Sequence, residues 1–162
     1  MRTFLKSLAF LILVPGLVVV YGPVQIALAG ASAPVLPGLR WAAPLLWLAG
    51  AAGVVWCVWD FTFAGRGTPL PLDPPRELVV RGLYRHTRNP MYLSAVLILG
   101  GHVLWFQTLW LLLYTAGVVV AFMGFVALYE EPHLRRTFGD AYQRYCQAVP
   151  RWLPALKPPF RR

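Results

Sequence analysis

The stretch RGLYRHTRNPMY, Arg81 to Tyr92, gathers three arginines, a histidine, two tyrosines and an Asn-Pro step directly ahead of a long uncharged run. Cations of this kind hold anionic groups, and tyrosines offer ring faces, so the stretch has the chemistry of a ligand site. It offers no convincing covalent nucleophile. A second group, Glu130 and Glu131, closes the uncharged run and could answer a ligand's ammonium or hydroxyl groups. His86, His102 and His133 are scattered, so no metal-ligand spacing arises. Cys57 and Cys146 build no disulfide framework and are expected to be unpaired.

The elements that must position these residues follow from hydropathy. Of 162 residues, 58% are hydrophobic and 13% charged, and the mean hydropathy is +0.58. That is too apolar for a soluble domain and describes a small integral membrane protein. A bilayer core about 30 Å thick needs roughly 20 apolar residues per helix. The residues from Met91 to Tyr129 carry no charge and as one helix would run about 58 Å, nearly two crossings. A reversal is therefore expected between Gly100 and Thr108, where GGHVLWFQT brings glycines, polar groups and interfacial aromatics.

The expected fold class is an all-α integral membrane protein of about four transmembrane helices with a C-terminal amphipathic cytoplasmic helix. It forms one domain over 1–162, with spans near 8–29, 41–63, 90–105 and 108–129, a loop 64–90 and a tail 130–162. The first apolar run is longer than a signal-peptide core, so it is expected to stay as an uncleaved span despite the following ALAGASA. With four spans, the N-terminus, the loop and the tail share the side that holds every Lys and Arg except Arg40, which makes that side cytoplasmic and the location a bacterial inner membrane. The net charge of +9 thus sits at membrane edges, which points to membrane lipids as partners and away from nucleic acid.

Within the loop, Pro69, Pro71, Pro74 and Pro75 rule out a helix, and Glu77 to Val80 could lie as an extended edge. Asn89 followed by Pro90 is a helix start, with Asn at the N-cap and Pro at the first helical position. In the tail, Leu134, Phe138, Tyr142, Tyr145 and Val149 fall on one stripe of an amphipathic helix that Pro150 ends. Because the third and fourth spans make a hairpin, Arg85, His86, Arg88, Asn89 and Tyr92 emerge on the same side as Glu130 and Glu131. Plainer roles exist for each: Arg81, Arg85 and Arg88 as topological anchors, Glu131 with Arg135 as a surface pair, Tyr142 and Tyr145 as belt residues, and Asp60 as a carboxylate reaching water.

The ordered set LVVRGLYRHTRNPMY, an uncharged hairpin, EE, and then LRRTFGDAYQRYCQAVPRWLP resembles the isoprenylcysteine carboxyl methyltransferase family and the related phospholipid methyltransferases, over roughly Pro69 to Pro154. The resemblance implies a membrane methyltransferase that uses S-adenosylmethionine. It implies cofactor contacts at Tyr84, His86, Asn89, Tyr92, Glu130 and Glu131, with backbone from Val80 through Gly82 to Leu83. Arg88 and Glu131 match positions needed for transfer, and Tyr145 and Arg151 match positions that close the site. Asn89 stands where the eukaryotic members carry His, which bears on substrate rather than fold. The expected acceptor is a lipophilic or small molecule, with carboxylate O-methylation favoured and N- or S-methylation open. The competing readings are a non-catalytic protein whose basic loop binds anionic lipid or a partner, and a fragment-like relative of the much larger sterol reductases.

Overall fold

The computed structural model describes residues 16–30, 36–64 and 78–155. The start of the first expected span, the Gly/Pro-rich loop 65–77 and the end of the tail lie outside them. Every regular element among the described residues is helical. A π-helical stretch Gly16–Tyr21 leads into α1 (Gly22–Ala29), and a 3-10 turn Pro37–Ala42 leads into α2 (Ala43–Ala64). A second 3-10 turn, Gly82–Arg85, precedes α3 (Pro90–Phe106) and α4 (Leu109–Phe125), and a π-helical segment Val126–Glu130 joins α4 to α5 (Glu131–Ala148).

Among the described residues two helical runs, Pro37–Phe61 and Leu109–Ala148, are long and apolar enough to cross a membrane; the apolar helices Gly16–Ala29 and Pro90–Phe106 are shorter. Only 17% and 11% of the most apolar windows of the two long runs are buried inside the protein. The core helix of a soluble protein would be covered, whereas Leu45, Leu48, Val55, Leu112, Leu113 and Val120 stand exposed as lipid-facing side chains do.

The chain groups into two compact units, Met1–Ala52 with Ser94–Phe122, and Gly53–Leu93 with Met123–Arg162. In the first, Val19, Ala95 and Leu99 form a buried cluster covered by Ile98, Tyr114, Val118 and Phe122. The Tyr114 hydroxyl donates to the Val18 carbonyl at 2.8 Å. The expected reversal falls at its far end only: α3 runs unbroken through Gly100 and Gly101, and the chain turns at Gln107, whose φ is +53°. Gly101 serves packing instead, since a Cβ there would strike the Trp47 indole. Small residues at such a crossing let helices approach closely.

The second unit has two clusters. Cys57, Val79 and Tyr84 pack with Phe61, Leu83 and Met91. Tyr142, Tyr145 and Val149 pack with Leu78, Val80, Leu134 and Phe138, which is the stripe expected for the tail helix. Leu78–Val80 form no strand; their apolar side chains go into these two clusters instead. The tail helix is continuous with α4 through the π-helical segment rather than separate from it, and it kinks at Gly139 (φ 50°, ψ −126°).

Candidate functional site

The site residues named from sequence all belong to the second unit. Asn89 and Pro90 start α3 as expected, with the Asn89 carbonyl accepting from the Leu93 amide at 3.2 Å. The Asn89 side-chain amide donates to the Arg151 carbonyl at 2.9 Å. Its neighbours make the same kind of bond: Arg88 N to Pro150 O at 2.9 Å and Ala155 N to His86 O at 2.9 Å. His86 Nδ1 lies 2.7 Å from Ala155 O, so that nitrogen carries the proton. Thr87 Oγ1 is within 3.0 Å of Arg151 O and 3.2 Å of Trp152 O. Residues 86–89 and 150–155 are thus laced by backbone and side-chain donors to backbone carbonyls, and His86 and Asn89 hold the tail.

That lacing delivers Arg151 to Glu131, which is 4% exposed. Glu131 Oε1 accepts from Arg88 Nη1 at 3.0 Å and from Arg151 Nε at 2.8 Å, while Oε2 accepts from Arg151 Nη2 at 2.7 Å. Arg151 therefore grips the carboxylate with two parallel bonds, the strongest form of this contact. Arg135, on the exposed side, stands at 3.9 Å. Arg88 also donates to Cys146 Sγ at 2.9 Å, and its Nε is buried with no hydrogen-bond partner.

Successive residues on a helix point about 100° apart, so Glu130 serves a different partner. Its Oε2 accepts from the Tyr92 hydroxyl at 2.7 Å. The Trp152 ring stands edge-on to Tyr92, centroids 6.5 Å apart. A π-helical insertion at such a point is a common mark of functional helices. Burial raises the Glu130 pKa above its ordinary value, against the lowering effect of the Tyr92 bond, and the Glu131 charge adds to the rise.

The raised value means that the folded state binds the Glu130 proton more tightly than the unfolded chain does. The stability this gives is complete below the ordinary carboxylate value of 4.5 and is lost as pH climbs through the folded value. Glu130→Gln is expected to flatten that part of the stability profile. Thermal unfolding of both proteins across the acid range checks it, and parallel profiles would count against a raised Glu130.

The backbone from Val80 to Leu83 is placed by a clamp that sequence reasoning missed. Arg81 is extended (φ −143°, ψ 170°), and its Nε pairs with Asp60 Oδ1 at 3.1 Å. Gly82 follows at φ +54°, so close to Asp60 Oδ2 that a Cβ would overlap the oxygen. Asp60 does not reach water: it is 2% exposed. Its acidity beside a span was the available signal, but nothing in the spacing named Arg81 as its partner. On the other side of this segment the Tyr145 hydroxyl donates to the Tyr84 carbonyl at 2.7 Å, and the Tyr84 ring meets Phe61 edge-on at 5.4 Å. Burial pushes the Tyr84 phenol well above its usual range. Cys57 and Cys146 are both free thiols.

Among the described residues the chain thus combines helices alone, two of them long and apolar enough to cross a membrane, with a buried arginine–glutamate centre beside a tyrosine–glutamate pair. The family model of the phospholipid methyltransferases matches residues 39–141, and the chain belongs to that family, which includes the isoprenylcysteine carboxyl methyltransferase-like proteins. No curated protein and no solved structure matches the chain.

Proposed function

We propose that the chain is a membrane-embedded methyltransferase that uses S-adenosylmethionine to methylate a lipophilic acceptor, with carboxylate O-methylation the reaction that suits the site best. The supporting observation is the Arg88–Glu131–Arg151 centre next to the Tyr92–Glu130 pair, in a member of a methyltransferase family. In this reading four spans place the loop, the tail and both termini on the cytoplasmic side of a bacterial inner membrane.

The residues present fit the cofactor. Arg88 Nε is a buried donor without an acceptor, which suits a carboxylate oxygen brought by a ligand. Glu130 accepts one phenol bond and retains acceptor capacity for an ammonium or ribose hydroxyl. The cofactor would be held by Arg88 and the Val80–Leu83 backbone with Tyr84, Tyr92, Glu130 and Glu131, and closed in by Tyr145 and Arg151. His86 and Asn89 would act through the tail they hold.

When bound, adenosylmethionine supplies a methyl carbon whose bond to sulfur breaks with the electron pair leaving on sulfur, so an anionic acceptor oxygen needs no base. The chain's contribution is then position and dryness. Arg88, kept in place by Glu131, would hold the cofactor's carboxylate through its free Nε and so fix where the methyl group sits. Tyr92 and Glu130 fix the other side, and the 150–155 strap with Arg151 excludes water. The basic edge formed by Arg81 and Arg85 favours an anionic head on an acceptor that arrives from the bilayer.

Calorimetric titration of the purified chain with adenosylmethionine and its demethylated product tests this, together with labelled-methyl transfer into a membrane lipid extract. Binding of both ligands is expected, weakened at least tenfold by Arg88→Ala, with label in the lipid fraction. No binding by the wild-type chain would sink the enzyme, and unchanged affinity in Arg88→Ala would sink the site.

A further inference from the structure

The unit formed by Met1–Ala52 and Ser94–Phe122 contains no aspartate or glutamate anywhere in its sequence. Arg40 is a cation within it, and it makes no ion pair with any described residue. Its side chain is nevertheless fixed. The guanidinium carbon lies 4.5 Å from the Trp105 ring centroid and 5.7 Å from that of Trp41. Trp105 in turn packs against Trp41 at 6.3 Å and Trp47 at 5.6 Å.

The turn that carries Arg40 is fixed too. Leu36 N donates to Gln107 Oε1 at 2.6 Å, and Gln107 Nε2 donates back to Leu36 O at 2.8 Å. This reciprocal pair ties the Pro37–Ala42 turn to the reversal between α3 and α4. Arg40 Nε is buried and has no hydrogen-bond partner. A stacked guanidinium keeps its planar fork free for a tetrahedral anion, which a lysine cannot match. Tryptophans cluster at the headgroup level of a bilayer, and Leu36, Leu39 and Trp41 around this arginine stand exposed.

We propose that Arg40, stacked on Trp105, is a binding site for the phosphate headgroup of an anionic membrane lipid. The phosphate supplies the negative charge that the unit lacks and an acceptor for the unmet Nε. The lipid's apolar part covers Leu36, Leu39 and Trp41, which is why the occupant is a lipid rather than free phosphate. The site is independent of the methyltransferase reading and of every residue in the Arg88–Glu131 centre.

The test is native mass spectrometry of the detergent-purified full chain titrated with phosphatidylglycerol. Arg40→Gln is expected to weaken binding of the first lipid about fivefold, and Arg40→Lys to weaken it less. Arg136→Gln, an exposed change on α5, is expected to leave it unchanged. Should Arg40→Gln fold poorly, Trp105→Leu keeps the charge, removes the stack and is expected to show a similar loss. Equal binding by wild type, Arg40→Gln and Trp105→Leu overturns the site. Displacement of phosphatidylglycerol by inorganic phosphate at matched concentration overturns the lipid as its occupant.

Discussion

Glu131→Ala is expected to lower folding stability by about 3 kcal/mol and to reduce methyl transfer at least about a hundredfold. The size of the effect comes from what is left behind. Glu131 is the shared partner of Arg88, whose side chain is only 12% exposed, and of Arg151, which is 41% exposed. Removing the carboxylate strands the Arg88 charge in a buried place and releases Arg151 to water. The 150–155 strap then loses its ion pair and keeps its hydrogen bonds to residues 86–89 and the contact of Trp152 with Tyr92. Glu131→Gln keeps the shape and one acceptor and is expected to fall between wild type and Ala in stability.

The double variant Glu131→Ala/Arg88→Met separates charge from shape. If the stranded charge is the main loss, it is more stable than Glu131→Ala while remaining inactive. Thermal unfolding in one detergent, beside a labelled-methyl assay, reads both. A stability for Glu131→Ala within about 0.5 kcal/mol of wild type, the range of ordinary surface changes, would mean that the centre does not hold the strap.

Asn89-Pro90 and the tail stripe were legible in the sequence because each obeys a local rule. A helix start needs only a cap and a ring, and a stripe needs only 3.6-residue spacing. The reversal was legible within Gly100–Thr108 and falls at Gln107; within an apolar helix a glycine can mark a close crossing as well as a turn, and at Gly101 the Trp47 contact makes it a crossing. The lacing of 86–89 to 150–155 was not legible because most of its acceptors are backbone carbonyls, which leave no signature in residue type. For the same reason the bonds that His86 Nδ1 and the Asn89 side-chain amide make to the tail were not legible. The convergence of Arg88 with Glu131 was legible from the hairpin, but the third partner, Arg151, depended on that hidden lacing.

Gly82→Ala is expected to destabilise the chain by about 3 kcal/mol, combining the left-handed backbone cost with overpacking. At φ +54° any side chain is strained, and this one would land on Asp60 Oδ2 with Trp56 Nε1 2.6 Å away. Asp60→Ala alone is expected to change stability little. It frees Arg81, but that side chain is 48% exposed and returns to water, and it deletes a buried oxygen that has no hydrogen-bond partner. In the double variant the new methyl group has the room the carboxylate vacated, and Trp56, an exposed side chain, can swing aside. Only the backbone cost then remains, so the pair is expected to couple favourably by about 1–2 kcal/mol. Unfolding of the four proteins under one condition measures that coupling. A strictly additive result would show that the approach of Asp60 does not select glycine here. A favourable coupling with cofactor affinity still weakened in Asp60→Ala would make Asp60 the residue that positions the Val80–Leu83 backbone rather than one that merely fills space.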